Sequence, residues 1–344
     1  MAYTSIDDPT IFFNTVLYSG SNGTQSVTGI NFQPDFSWLK CRSTAYHNRL
    51  FNSVSGAGKN LISDNNNSEQ TVDEGITAFN SDGFSVKQGS SLEYNASGQT
   101  YVSWNWLASG STASNTDGSV TSTVSANTTA GFSISTFTSP GSGTFTFGHG
   151  LSSAPKVVIL KRRNGSQNWI VGHDSAGWGY WLKLNDTDAR LSNTSMWQNT
   201  APSSSIVSLD TSQIGASNTF VAYCLSEVKG YSKFSSYTGN GNADGPFIYT
   251  GFRPAWLLVR NATESSMQWV IHDNKRNTFN VTDKELRPDS TEAEVTQTRF
   301  DFVSNGFKVR NSSSYVNRSG ETIIYMAFAE SPFVNSNSVP NKAR

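Results

Sequence analysis

Phe252-Arg253-Pro254-Ala255-Trp256-Leu257-Leu258-Val259-Arg260 is the third statement of a phrase that the chain makes twice before. The earlier copies are Phe32-Gln33-Pro34-Asp35-Phe36-Ser37-Trp38-Leu39-Lys40 and Ala154-Pro155-Lys156-Val157-Val158-Ile159-Leu160-Lys161. The runs Val157 to Leu160 and Ala255 to Val259 are apolar at successive positions, which predicts strands covered from two sides. The copies lie roughly 100 to 120 residues apart, too far for a solenoid with its repeats of about 20 to 50 residues, so the chain reads as three related globular units.

Other landmarks recur in the same order. Upstream of each proline stand Tyr18-Ser19-Gly20, Phe137-Thr138-Ser139-Pro140-Gly141 and Tyr237-Thr238-Gly239. Downstream, Asn52-Ser53, His173-Asp174 and His272-Asp273 fall at matching places, followed by polar turns around Asp64, Asn185 and Asp289. Each unit closes on an alternating strand: Val102, Trp104 and Trp106; Val221, Tyr223 and Leu225; Ile324, Met326 and Phe328. In the first unit Ser103 and Asn105 lie opposite the tryptophans, which predicts one polar face.

Strand signals dominate and convincing amphipathic helices are missing. The expected fold is all-β, with three tandem related antiparallel β-sandwich modules of jelly-roll type. Their boundaries fall at 1–109, 131–229 and 230–331. A Ser/Thr/Gly-rich linker, 110–130, flexible or laid along a neighbour, separates the first two, and a polar tail, 332–344, extends freely or clasps another subunit. These modules are expected as beads in a row, with the second and third docked rigidly.

Only 15% of the 344 residues are charged, against about 25% in ordinary soluble proteins, so hydroxyls and amides make the surface. With 25 basic and 26 acidic residues there is no global field to draw the chain to nucleic acid or acidic lipid. No apolar run reaches the roughly 18 residues of a membrane helix, and the N-terminus carries no secretory signal pattern. Two cysteines, Cys41 and Cys224, sit at non-equivalent places and exclude a disulfide framework.

No catalytic motif survives inspection. Ser55-Gly56-Ala57-Gly58-Lys59-Asn60 imitates part of a phosphate loop but has Asn60 where a magnesium-binding hydroxyl belongs. His173-Asp174 and His272-Asp273 read as structural turns, because the first unit replaces them with Asn52-Ser53. The Asp- and Asn-rich turns lack the fixed register of a calcium loop. Neither cofactor, metal nor enzymatic activity is expected.

The aromatics are more informative. Trp38, Trp104, Trp106, Trp169, Trp256 and Trp269 fall in repeat-equivalent strands and read as core. Trp178, Tyr180, Trp181 and Trp197 break the pattern and crowd the middle unit beside glycines and asparagines. Rings with amide neighbours suit core packing, a subunit contact, or a sugar whose apolar face stacks while its hydroxyls pair with amides.

Tyr237-Thr238-Gly239-Asn240-Gly241 followed by Gly251-Phe252-Arg253-Pro254, with Asp82-Gly83-Phe84 and Asn305-Gly306-Phe307, resembles a repeat module of virion and tail proteins of marine tailed bacteriophages. The segment Phe220 to Phe234 and the ending Tyr325 to Phe333 are similar to the same family. The resemblance spans nearly the whole chain and brings no catalytic residues. It implies a non-enzymatic virion protein, made in the host cytoplasm and assembled on the particle as a head decoration or tail appendage. Its implied partners are capsid or tail proteins and further copies of itself. The alternative expectation is an adhesin for host-surface polysaccharide acting through Trp178, Tyr180, Trp181 and Trp197.

Overall fold

The computed structural model describes residues 3–341. It is all-β, with antiparallel sheets of which none closes into a barrel. The first stretch holds β1 (Phe13–Ser19), β2 (Thr24–Thr28), β3 (Phe36–Cys41), β4 (Arg49–Asn52), β5 (Lys59–Ile62), β6 (Gln70–Thr71), β7 (Gly75–Asn80), β8 (Gly83–Lys87) and β9 (Thr100–Trp106). They form sheets β1-β9-β3-β4-β5-β6 and β2-β8-β7.

The second holds β10 (Ala113–Asn115), β11 (Ser122–Asn127), β12 (Phe132–Thr138), β13 (Thr144–Gly148), β14 (Val157–Arg162), β15 (Ile170–His173), β16 (Tyr180–Lys183), β17 (Leu191–Ser192), β18 (Ile206–Asp210) and β19 (Thr219–Leu225). Here the sheets are β10-β11-β12-β19-β14-β15-β16-β17 and β13-β18. The third holds β20 (Ser232–Thr238), β21 (Phe247–Tyr249), β22 (Phe252–Asn261), β23 (Val270–Asp273), β24 (Thr282–Glu285), β25 (Val295–Val303), β26 (Gly306–Val309) and β27 (Thr322–Pro332). Its sheets are β20-β27-β22-β23 and β21-β26-β25-β24. In all three, the closing strand lies between the first strand and the proline strand: β1-β9-β3, β12-β19-β14 and β20-β27-β22.

Alternation along the proline strands explains why both of their faces are apolar. Phe36 and Trp38, Val157 and Ile159, and Trp256 and Leu258 enter one large cluster together with Trp104, Trp106, Trp169 and Trp269. Their neighbours turn the other way into three separate cores, Leu39 in one, Val158 and Leu160 in another, Leu257 and Val259 in the last. The expectation of beads in a row is therefore corrected: the apolar cluster draws on all three stretches, and one face of each large sheet is buried against the others. The closing strands are corrected too. Ser103 and Asn105 are buried, and their polar groups are satisfied by Ser37 Oγ donating to Asn105 Oδ1 at 2.8 Å and by Asn105 Nδ2 donating to the Asn14 carbonyl at 3.2 Å.

At one end of the shared core the proline strands place buried cations, Lys40, Lys161 and Arg260. Burial pushes Lys40 down to about 8 and Lys161 to about 7, and it lowers Arg260 while leaving it a cation. Each cation donates to a carbonyl of another stretch. Lys161 Nζ reaches Asn66 O at 2.9 Å, Lys40 Nζ reaches Thr291 O at 2.9 Å, and Arg260 Nη2 reaches Asp188 O. Eight or nine residues further along each stretch the pattern repeats: Trp169 Nε1 donates to Ile62 O, Trp269 Nε1 to Lys183 O, and Asn48 Nδ2 to Arg287 O. The polar turns seen in the sequence thus supply carbonyls to a neighbour's buried cation.

A second set of bonds runs round the cycle in the opposite sense. Asn52 Nδ2 lies 3.2 Å from Tyr223 Oη, His173 Nε2 3.2 Å from Tyr325 O, and Asp273 Oδ2 accepts from Trp104 Nε1 at 2.9 Å. Register identifies these three as equivalent, since they pair with Phe36, Val157 and Trp256. The alignment of His173-Asp174 with His272-Asp273 is therefore one residue off. The hairpin loop before β23 is longer by one, as the pairs Leu39↔Arg49, Leu160↔Ile170 and Val259↔Val270 show, and a one-residue slip reverses every later side chain.

The 110–130 segment is not an open tether, because β10 and β11 lie in it and extend the eight-stranded sheet. Small hydroxyls make this close packing affordable: Ser122 and Ser125 are buried, and Ser122 Oγ donates to Gly148 O at 2.7 Å. The described part of the tail folds back on its own chain. Phe333 N donates to Gly251 O at 3.1 Å, and Asn341 Nδ2 to Ser304 O at 2.7 Å.

Candidate functional site

Two of the four aromatic residues singled out in the middle stretch lie below the surface. Trp197 is fully buried and Trp178 is 7% exposed, their rings meeting edge to face at 5.5 Å. Gly172 in β15 permits this, for a Cβ there would meet Trp178 at 2.6 Å and Trp197 at 2.8 Å. Trp178 Nε1 donates to Asp174 Oδ1 at 3.1 Å, which fixes the ring further. Neither indole presents a face to a sugar or a subunit, so of the three readings open for these two, core is the one the structure gives.

Tyr180 and Trp181 are half-buried. As consecutive residues of β16 they project to opposite faces and cannot share a platform. The Tyr180 ring is already covered by Arg190, whose guanidinium carbon lies 4.3 Å from its centre and whose Nη1 donates to Ala176 O at 2.9 Å. Trp181 packs on the rim of the local core.

The histidine–aspartate positions are structural. Burial lowers His173 to about 4, and the neutral ring accepts from Ser175 N on Nδ1 while Nε2 faces Tyr325 O. Asp273 is fully buried; burial opposes its charge, but Arg276, bonded through Nε at 2.5 Å, holds its carboxyl below the usual range. Glu285 is held low in the same way against burial by His272, Arg299 and other partners. Among the described residues no group of three His, Cys, Asp or Glu side chains converges to hold a metal.

A different constellation faces solvent. Residues near the start of the chain cross to the third stretch, where Thr4 Oγ1 donates to Lys229 O at 2.8 Å and Tyr3 Oη donates to Gly251 O at 2.9 Å. Between this strap, the start of β20 and the end of β21 opens a hollow of about 560 Å³. Tyr249 Oη lies 2.9 Å from Tyr3 Oη, and burial with this contact raises the Tyr3 phenol. Lys229 Nζ stands 4.6 Å from the centre of the Tyr3 ring, and Lys233 Nζ lies 3.6 Å from Glu227 Oε2.

Next to the hollow, the edge strand β21 alternates outward, inward, outward. Phe247 is 48% and Tyr249 53% exposed, while Ile248 enters the local core. Gly306 on the adjoining strand makes that pairing close, since a Cβ there would lie 2.0 Å from Ile248 O; Gly83 stands in the same relation to Val27 O. This explains the recurrent Gly-Phe step, whose phenylalanines Phe84 and Phe307 are buried below. The hollow thus combines two ammonium groups, one carboxylate and two phenols. Its two aliphatic hydroxyls are occupied, Ser232 Oγ accepting from Val228 N at 3.0 Å and Thr250 Oγ1 donating to Phe252 O at 2.7 Å. Such a set can recognise a ligand by charge and stacking. The sequence signal was available in Phe247-Ile248-Tyr249 after Pro246, but the denser tryptophans of the middle stretch drew the reading away.

A family model described as a domain of unknown function (DUF7483) matches residues 8–332. No curated protein matches the chain, and no solved structure does.

Proposed function

We propose that this chain, which belongs to the DUF7483 family, is built of three related β-sandwich modules of jelly-roll type wound about one core, and serves as a non-enzymatic structural protein of a tailed-bacteriophage virion. It is mounted as a head decoration or tail appendage, contacts capsid or tail proteins, and is present in several associated copies. The observation that carries this reading is the closed cycle of contacts. Each stretch grips the next through a buried cation and a neighbour's carbonyl, which gives a rigid body suited to exposure outside a cell. The hydroxyl- and amide-rich surface and the resemblance of the repeat wording to phage virion proteins point the same way. Mass spectrometry and antibody labelling of purified particles test it. Label on head or tail supports the reading, and absence from particles that infect normally defeats it.

A second reading, a tail adhesin for host-surface polysaccharide, is favoured by the exposed pair Phe247 and Tyr249 beside the hollow. Sugar binding by the purified chain that is lost in Tyr249→Ala supports it.

A further inference from the structure

We propose that the hollow bounded by Tyr3, Lys229, Lys233 and Tyr249 binds a saccharide carrying one negative charge per sugar unit, such as a uronate or a sulfate-ester sugar. This deepens the second reading above and rests on it. Three observations define the ligand.

Size comes first: about 560 Å³ falls within the roughly 300 to 1,000 Å³ typical of small-molecule sites. Next is the stacking surface. Phe247 and Tyr249 project from the same face of an edge strand, about 7 Å apart along it, so successive rings of an extended chain can meet successive aromatic faces. The strand that carries them is fixed from behind, because Ile248 is anchored in the core, and the Tyr249 hydroxyl is bonded to Tyr3. The Tyr249 ring therefore has less freedom to lose on binding.

Charge decides between neutral and acidic sugars. Lys229 has no carboxylate within ion-pair distance among the described residues, and its cation leans on the Tyr3 ring instead. Lys233 meets only Glu227, at 3.6 Å, and that carboxylate already accepts from Phe234 N at 2.7 Å through its other oxygen. Two ammonium groups against one carboxylate leave a single positive charge, which a carboxylate or sulfate ester neutralises and a phosphate of nearly two charges exceeds. Lysines act as point charges and suit either monoanion; among the described residues no arginine fork of the kind that selects phosphate lines the hollow.

The test is titration calorimetry of the full chain with tetragalacturonate, a sulfated tetrasaccharide and maltotetraose at low and moderate salt. Binding of either acidic probe at least about tenfold tighter than maltotetraose supports the proposal. Tyr249→Ala should weaken acidic binding about tenfold, and Lys229→Ala with Lys233→Ala should abolish the preference for acid over neutral sugar. Lys87→Ala, an exposed lysine on the first stretch, should change nothing. Thermal unfolding of each variant checks the fold. Equal binding of acidic and neutral probes overturns the charge assignment while leaving saccharide recognition standing. Binding of none of the probes overturns both, and binding that survives the Tyr249 and lysine changes places the site elsewhere and overturns the proposal.

Discussion

The seam between the first and second stretches and the seam between the second and third use the same backbone and different side chains. In the former, Glu69 N donates to Arg163 O at 2.9 Å and the two side chains form a two-pronged ion pair, both contacts at 2.9 Å. The seam between the first and third stretches repeats this with Glu294 and Arg42. At the second–third seam the backbone bond survives, Arg190 N to Ala262 O at 2.8 Å, but Ala262 has no charge to offer and Arg190 turns to Tyr180. Backbone pairing and the buried cation are thus common to all three, and the outer ion pair is an addition that one seam does without.

The largest expected loss comes from the innermost bonds. Asp273→Ala takes the nearer carboxylate from the buried Arg276 guanidinium, leaving it Glu294 at 3.3 Å, and deprives the Trp104 donor of its acceptor, and should cost about 3 kcal/mol in chemical denaturation. Asn52→Ala removes two neutral bonds at the equivalent position, one to Tyr223 Oη and one from Ser55 N, and should cost about 1 to 2 kcal/mol. Equal losses would show that the charge at the third position is immaterial.

Asp289 gives a pH-dependent contrast. It accepts from Trp269 N as Asn185 accepts from Trp169 N, but burial raises its carboxyl to about 7 despite the nearby Arg260. A carboxyl with a raised folded-state value holds its proton more firmly when folded, so this contribution to stability is present in acid and is lost as pH climbs from about 4 to about 7. Asp289→Asn should therefore match the parent near pH 4 and exceed it by on the order of 4 kcal/mol at pH 8. Thermal denaturation across that range measures the divergence, and parallel curves would exclude a buried acid there.

Smaller still is the outer layer. Arg163→Ala should cost about 1 to 2 kcal/mol, less at high salt, because Glu69 is only 9% exposed. Arg190→Ala should cost about 0.5 kcal/mol, the worth of a half-exposed ring contact. If the two lose equally, the seams do not differ in the way described. Tyr249→Ala should fall within about 0.5 kcal/mol of the parent, because the side chain is exposed and its one bond, to Tyr3 Oη, faces solvent.

Much of this fold was legible in the chain. The proline strands were readable as doubly covered because Val157 to Leu160 allow no polar face, and the six repeat-equivalent tryptophans do enter the shared core. What covers the second face was not readable: periodicity reports that a face is buried, not whether the cover is a local sheet or another stretch. The segment 110–130 misled because Ser and Thr are read as solvent-facing, whereas Ser122 and Ser125 pair with nearby polar groups in a tightly packed sheet. For Trp178 and Trp197 the sequence left core, subunit contact and sugar open, because Gly172, the residue that lets them sink, belongs to a strand earlier in the chain.

The strap that carries Tyr3 has a neighbour on its outer side: Asp7 accepts from Ser336 N at 2.7 Å, so the two extremities of the described chain touch. A short peptide could join them, and new termini could be opened in an exposed turn such as the one at Gly141, giving a circular permutant with its interior untouched.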